Sequence, residues 1–324
     1  MAKRGKTRTA YAVSQGFIGF ALVSVGVVAS LATILGFFGS TWWLFDFAAN
    51  FRAHLAVVLT MVALAYALTY SKATGLFFLA MAALNALTVL PMYSATPAVA
   101  VQEGEEMTIV SFNVAQRSSI RDATFRWIDG VEPDLVVLVD STDDWVNAIE
   151  MARPYVVQSE LPLDRTFGIT ILSLDNVETQ VLRASRIRDS VVRVEASLGE
   201  QPIVIYAVQS RAPSNETNAT YRDEYFDDVS KMVQSESVPT VIVGDFQTTP
   251  WSHAFQGLEE DTGLENSMAG FGLQTTWPAD RWAFFRIPID HLLHSPELTT
   301  IDRYLGPVLG VDHRPLVVKL GLAA

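Results

Sequence analysis

Within its first 102 residues the chain runs three times without an Asp, Glu, Lys or Arg: Thr9 to Phe45, Leu55 to Ser71 and Ala73 to Gln102. No other feature restricts the fold as tightly. A helix needs roughly 20 apolar residues to cross the hydrocarbon of a bilayer, with about 17–25 tolerated. The first and third stretches exceed that, and the second falls inside the range. The spans are placed near 12–38, 53–71 and 74–92, with Pro91 closing the last. Trp42 and Trp43 stand beside the first span, where indole rings favour the lipid–water boundary. Residues 1–93 are therefore read as a three-helix transmembrane region, 94–105 as a short tether and 106–324 as a separate domain.

The basic residues set the orientation. Lys3, Arg4, Lys6 and Arg8 keep the N-terminal tip in the cytoplasm, and Lys72 between the second and third spans falls on the same side. Three crossings of an inner or plasma membrane then put the domain outside the cytoplasm. A cleaved signal peptide would share the basic start, but the first span is too long for one and two more follow it. Ala98-Val99-Ala100 is a small-residue pattern at which a signal peptidase could cut; retention of the anchor is the expectation.

The chain's 23 basic and 35 acidic side chains are split unevenly. Up to residue 100 there are six basic residues and one acid, Asp46, so 17 basic and 34 acidic groups fall in the remainder. Phosphate backbones repel such a surface, which argues against a generic nucleic-acid binder. There is no cysteine. Disulfides, a thiol nucleophile and Cys-ligated metal sites are thereby excluded.

After residue 105 the pattern turns β-rich. Runs dominated by apolar and β-branched residues predict strands at 107–113, 134–139, 167–173, 190–196, 202–208, 240–245, 288–294 and 315–320. Helical spacing appears at 121–128 and 218–234. Helices interspersed irregularly among so many strands favour an α+β fold with two packed sheets and helices outside, over a doubly wound single sheet.

Polar residues sit where these strands end: Asn113, Asp140, Gln209, Asp245 with Gln247, Asp290-His291, and Asp312-His313. Each alone is an ordinary turn former. Six such placements in one domain point to carboxylates converging with a histidine, a hard-cation site with a base.

The segments Val243-Gly-Asp-Phe-Gln-Thr-Thr-Pro-Trp-Ser252, Thr276-Trp-Pro278 leading to Ile287-Pro-Ile-Asp-His-Leu-Leu293, and Val311-Asp-His-Arg-Pro-Leu-Val317 resemble, in order and spacing, the endonuclease/exonuclease/phosphatase family of metal-dependent phosphoesterases. The likeness covers nearly all of residues 106–321 and extends to membrane-anchored bacterial members. It implies a four-layer helix/sheet/sheet/helix sandwich with the site at one edge of the paired sheets. By resemblance His313 is the general base or electrostatic partner at the scissile phosphate, and Asp290 the carboxylate that orients it. Asp245 positions or deprotonates the attacking water. Asp312 and Asp140 belong to a metal site, and Asn113 helps hold both that site and the phosphate. The implied cofactor is Mg²⁺ or Mn²⁺.

Three positions depart from the family pattern. Asp140 stands where the family has a metal-binding glutamate, Gln209 where it has a second histidine, and Gln247 where it has the asparagine of an Asp-x-Asn pair. The first keeps the charge and shortens the reach. Gln209 and Gln247 can hydrogen-bond a phosphate, but an amide is no useful acid at neutral pH. Arg211 is a candidate to restore the charge lost with the histidine. Such swaps suit a retuned site and a decayed one alike. His291 should face away from Asp290 as a packing residue, and Trp251 and Trp277 are read as packing before platform.

The leading expectation is a membrane-anchored hydrolase of a lipid-linked or small soluble phosphate ester, with the bilayer and that ester as partners and nucleic acid disfavoured. A catalytically degenerate binding or sensory module is the alternative, and a nuclease the third.

Overall fold

The computed structural model describes residues 2–94, 105–150, 156–158, 168–175 and 177–323. Most of the expected tether, including Ala98-Val99-Ala100, and Phe167 of one expected strand lie outside the described residues. The chain separates into two compact units, Met1–Pro91 and Met92–Ala324.

The first unit is helical: α1 (Ala2–Leu35), α2 (Trp43–Ala49), α3 (Arg52–Thr69) and α4 (Lys72–Val89). Three segments, Gly16–Phe38, Arg52–Thr69 and Lys72–Tyr93, are long and apolar enough to cross a membrane. The short α2 was not anticipated. Small residues let the helices approach closely: a Cβ on Gly75 would lie 2.5 Å from the Ala67 Cβ and 2.8 Å from the Ala63 carbonyl oxygen. One polar clasp ties three helices. Arg52 donates to the Thr33 carbonyl at 2.8 Å and to Asn85 Oδ1 at 3.3 Å. Asn85 in turn donates to Thr33 Oγ1 at 2.8 Å. All three side chains are buried, which an apolar bundle tolerates only when such groups satisfy one another.

The second unit contains β1 (Glu106–Asn113), α5 (Arg121–Val131), β2 (Leu135–Val139), α6 (Asp143–Glu150), β3 (Val156–Gln158), β4 (Ile169–Ser173), β5 (Glu178–Ala184), β6 (Asp189–Leu198), β7 (Gln201–Gln209), α7 (Glu216–Gln234), β8 (Thr240–Asp245), α8 (His253–Thr262), β9 (Glu265–Asn266), β10 (Asp290–His294), β11 (Leu298–Leu305) and β12 (Leu316–Leu322). Two six-stranded sheets result, ordered β11-β12-β1-β2-β4-β3 and β5-β6-β7-β8-β10-β9. Each has one parallel pair at its centre, β1 with β2 and β7 with β8, and antiparallel pairs around it.

Alternation along the strands decides the layering. Ile109, Val137, Ile171, Ile205, Val243, Leu292 and Val318 fill the space between the sheets. Their neighbours Val110, Phe112, Val136 and Leu138 turn outward to Phe125 and Ile128 of α5 and Trp145 of α6. Across the other sheet Tyr206, Val208, Ile242 and Leu293 meet Tyr225, Phe226 and Val229 of α7 and Phe255 and Leu258 of α8. The order is helix, sheet, sheet, helix. Caps hold the helices in place: Asn215 accepts from the Asn218 amide before α7, and Ser252 from the Phe255 amide before α8.

Candidate active site

The central parallel pairs bring their C-terminal ends to one edge, and the polar strand ends meet there. Asn113 closes β1 beside Val139, the last residue of β2 and neighbour of Asp140. Across the second sheet Gln209, Asp245 and Asp290 are partners in register on β7, β8 and β10. Gly244 makes this possible. It has φ +147, and a Cβ there would lie 2.0 Å from the Val208 carbonyl oxygen, so only glycine lets β8 run this close to β7.

One hydrogen-bond network joins both sheets. Asn113 Nδ2 donates to Asp245 Oδ2 at 2.9 Å and to Asp140 Oδ2 at 3.3 Å, while its Oδ1 accepts from the Ala115 amide at 2.9 Å. Asp245 also accepts from the Gln247 amide at 3.0 Å and from Gln247 Nε2 at 2.6 Å. His313 Nδ1 bonds Asp290 Oδ2 at 2.9 Å, and its Nε2 faces Asp245 Oδ2 across 3.8 Å. That gap is too long for a hydrogen bond. Asp245, Asp290 and His313 are all buried. Asp140 and Gln247 have φ +55 and +53, left-handed backbone that non-glycine residues adopt at a cost and that concentrates at functional sites.

Asp312 lies one residue before His313 and accepts from Trp277 Nε1 at 3.0 Å. Gln209 is buried, and its side-chain carbonyl oxygen has no hydrogen-bond partner. Its backbone amide donates to the Tyr225 hydroxyl at 3.2 Å. Arg211 forms a two-pronged ion pair with Asp189, at 2.9 and 2.8 Å. Neither Tyr225 nor Asp189 carried a signal in the sequence, since both act through tertiary contacts. His291 packs against Phe246 and Phe255 on the far side of β10, with ring centroids at 5.3 and 4.7 Å. Trp251 is buried in packing, whereas Trp277 is half-buried against Asp312.

Charge is lopsided here. Burial alone would lower the His313 pKa, but the carboxylates of Asp290, Asp245 and Asp312 outweigh it and raise it to about 10. Burial, and then Asp290, push Asp245 up to about 7 against the pull of His313 and Asn113. His313 is thus an imidazolium at neutral pH, and Asp245 is poised between its two forms. Asp245, Asp290 and His313 offer ligand atoms within 4.8 Å of one another. Yet His313 Nδ1 is committed to Asp290, so this trio reads as a hydrogen-bonded dyad beside a carboxylate rather than as a coordination shell. Asp140, which accepts from Asn113, and Asp312, whose charge acts on His313, supply further carboxylate oxygens of the kind that suits a hard cation. Four carboxylates against one imidazolium give the excess negative charge that a divalent ion would offset.

The linkage has a definite sign. Both pKa values lie above their ordinary values of 6.5 and 3.8, so the folded chain holds protons the unfolded chain releases. Their contribution is present at low pH and is lost as pH rises. Thermal unfolding of metal-free protein should therefore fall in midpoint from about pH 6.5 to pH 10, and His313→Gln should flatten that slope. An unchanged slope in the variant would remove His313 as its source.

A protein-family model for the Endonuclease/Exonuclease/phosphatase family matches residues 110–315. The chain belongs to this family. Its members are hydrolases of phosphodiester bonds. Among solved structures, D. rerio TDP2 complexed with single strand DNA product is 13% identical, covering 67% of this chain and 99% of its own with a TM-score of 0.55. A functionally unknown conserved protein from Enterococcus faecalis V583 is 13% identical, covering 67% of this chain and 100% of its own with a TM-score of 0.56. An endonuclease/exonuclease/phosphatase from Beutenbergia cavernae DSM 12333 is 15% identical, covering 68% and 72% with a TM-score of 0.52. At these identities the likeness shows the family fold alone. No curated protein sequence matches the chain.

Proposed function

We propose that this chain is a membrane-anchored, metal-dependent phosphoesterase that hydrolyses a lipid-linked or small soluble phosphate ester outside the cytoplasm. One observation carries the reading: the Asp290–His313 pair faces Asp245 across a 3.8 Å gap, within a network tied to Asn113 and Asp140. Asp290 fixes the ring so that the proton on Nε2 points into the gap, the orienting logic of a catalytic dyad. There the imidazolium meets charge growing on a phosphoryl oxygen. Asp245, with a pKa near the working pH, positions the attacking water and accepts its proton. Gln247 and Asn113 hold Asp245; both Asn113 Nδ2 hydrogens are spent on Asp245 and Asp140, so it is the second hydrogen of Gln247 Nε2 that bonds the phosphate. The buried Gln209 oxygen accepts from a substrate hydroxyl or water, and Arg211, two residues on, has its charge held by Asp189.

Asp140 and Asp312, with Asn113, would hold the Mg²⁺ or Mn²⁺. When bound, that ion offsets charge on the non-bridging and leaving oxygens. The membrane part of the proposal rests on the three apolar helices and the basic N-terminal tip.

The test is direct. Full-length protein with Mg²⁺ or Mn²⁺ is assayed against a phosphomonoester, a phosphodiester and a lipid phosphate. Release above the rate of His313→Ala supports the reading, and equal rates across the panel refute it. A degenerate binding module is the second reading, favoured by the Gln209 amide where the family has a histidine. Restoring that ring separates the two. Gln209→His should raise kcat by about 10-fold or more if the site is active and retuned, and should raise nothing if it is decayed.

A further inference from the structure

Between Trp277 and Asp290, residues 280–285 are exposed without interruption. Their sequence is Asp280-Arg-Trp-Ala-Phe-Phe285, followed by Arg286. Trp282 is 84% exposed and Phe285 62%, with Phe284 edge-on to Phe285. The segment is built, not frayed. Its base is closed by the Trp277–Ile287 bridge and by Arg286, which donates to the Arg281 and Ala279 carbonyls at 2.9 and 2.8 Å. It is also bolted to the candidate active site, since the Ala279 amide donates to the Asp312 carbonyl at 2.6 Å. Exposed aromatics on so ordered a scaffold mark an interaction surface.

The charges around it select the partner. This is an acidic domain, yet Arg281 and Arg286 flank the aromatics, and Arg314 follows His313. Arg286 lies close enough to Arg314 to lower its affinity for a proton, after burial. Asp280 is the one acid on the segment, 3.7 Å from the Arg281 Nε. Trp and Phe between cations are suited to the headgroup boundary of an anionic bilayer. The chain itself brings helices able to cross such a bilayer.

We propose that the 279–286 hairpin inserts Trp282 and Phe285 into the surface of an anionic bilayer and holds the catalytic edge against it. The hairpin acts as a second, reversible membrane contact beside the permanent anchor. Docking is independent of turnover, so it can stand where the hydrolase reading fails, and the reverse.

The lack of cysteine gives a clean test. Ala283→Cys, and as control Glu200→Cys on the β6–β7 turn at the opposite end of the sheet from Gln209, are labelled with an environment-sensitive fluorophore in full-length protein. The protein is reconstituted in phosphatidylcholine vesicles with and without phosphatidylglycerol. At 283 the emission should move to the blue and be quenched by nitroxide lipids, more so with the anionic lipid, while the label at 200 does neither. Trp282→Ala with Phe285→Ala should abolish the shift. Each arginine lost should reduce the docked-to-free ratio about fivefold. A label at 283 as wet as that at 200 overturns the proposal. So does a shift that vanishes on diluting protein in lipid, which would assign the hairpin to a second copy of the chain. A chain that fails to integrate refutes the anchor alone, and added vesicles then test the hairpin by binding.

Discussion

His313→Ala lowers kcat for phosphoester hydrolysis by about 10²–10⁴, the range for loss of one well-placed catalytic group. The ring is buried, fixed by Asp290 at 2.9 Å, and is the partner that faces Asp245 at 3.8 Å. Without it two buried carboxylates confront the phosphate with no cation between them, so the same change that removes a proton donor adds repulsion. Asp290→Asn should fall nearly as far while keeping the ring in place, because a neutral amide no longer stabilises the imidazolium that carries a proton on Nε2. Steady-state rates of full-length variants, alongside their unfolding midpoints, separate lost chemistry from lost folding. A variant that keeps its midpoint and its rate contradicts the assignment.

Removal of divalent ions should have an effect as large. Chelation takes hydrolysis to background, and Mg²⁺ or Mn²⁺ restores it. Metal at about 100 times its Kd should also stabilise the fold by about 2.7 kcal/mol, seen as a higher unfolding midpoint. The ligand assignment gives this prediction its sharper form. If Asp140 and Asp312 hold the ion, Asp140→Asn weakens metal binding by about 10-fold or more, and His313→Ala leaves it as tight as before. If Asp245, Asp290 and His313 were the shell, His313→Ala would abolish binding. Calorimetric titration of the two variants decides between them.

Much of this was legible in the chain. Apolar runs placed β1, β2, β7 and β8 within a residue or so of where they fall, because strands buried on both faces must be continuously apolar. The residues just beyond or at their ends, Asn113, Asp140, Gln209 and Asp245, then had to gather where the parallel pairs terminate. Edge elements were missed. β5, Glu178-Thr-Gln-Val-Leu-Arg-Ala184, is more than half polar, and β11, Leu298-Thr-Thr-Ile-Asp-Arg-Tyr-Leu305, reads as loop; both draw their stability from neighbours rather than from local pattern. Gln209 was seen as a departure, but its setting beneath the Tyr225 hydroxyl was not, since α7 reaches it only through the fold. The bond from Trp277 to Asp312 and the display of Trp282 and Phe285 were hidden for the same reason: spacing tells which residues are apolar, not which of them the loop leaves in water.

The most direct measurement is a cycle of four rates, taken on one phosphoester with Mn²⁺ present: wild type, His313→Ala, Asp290→Asn and the double variant. Residues that act as a unit are strongly non-additive. The double variant should be no slower than His313→Ala alone. Losses that multiply, or four equal rates, would contradict a working Asp290–His313 pair.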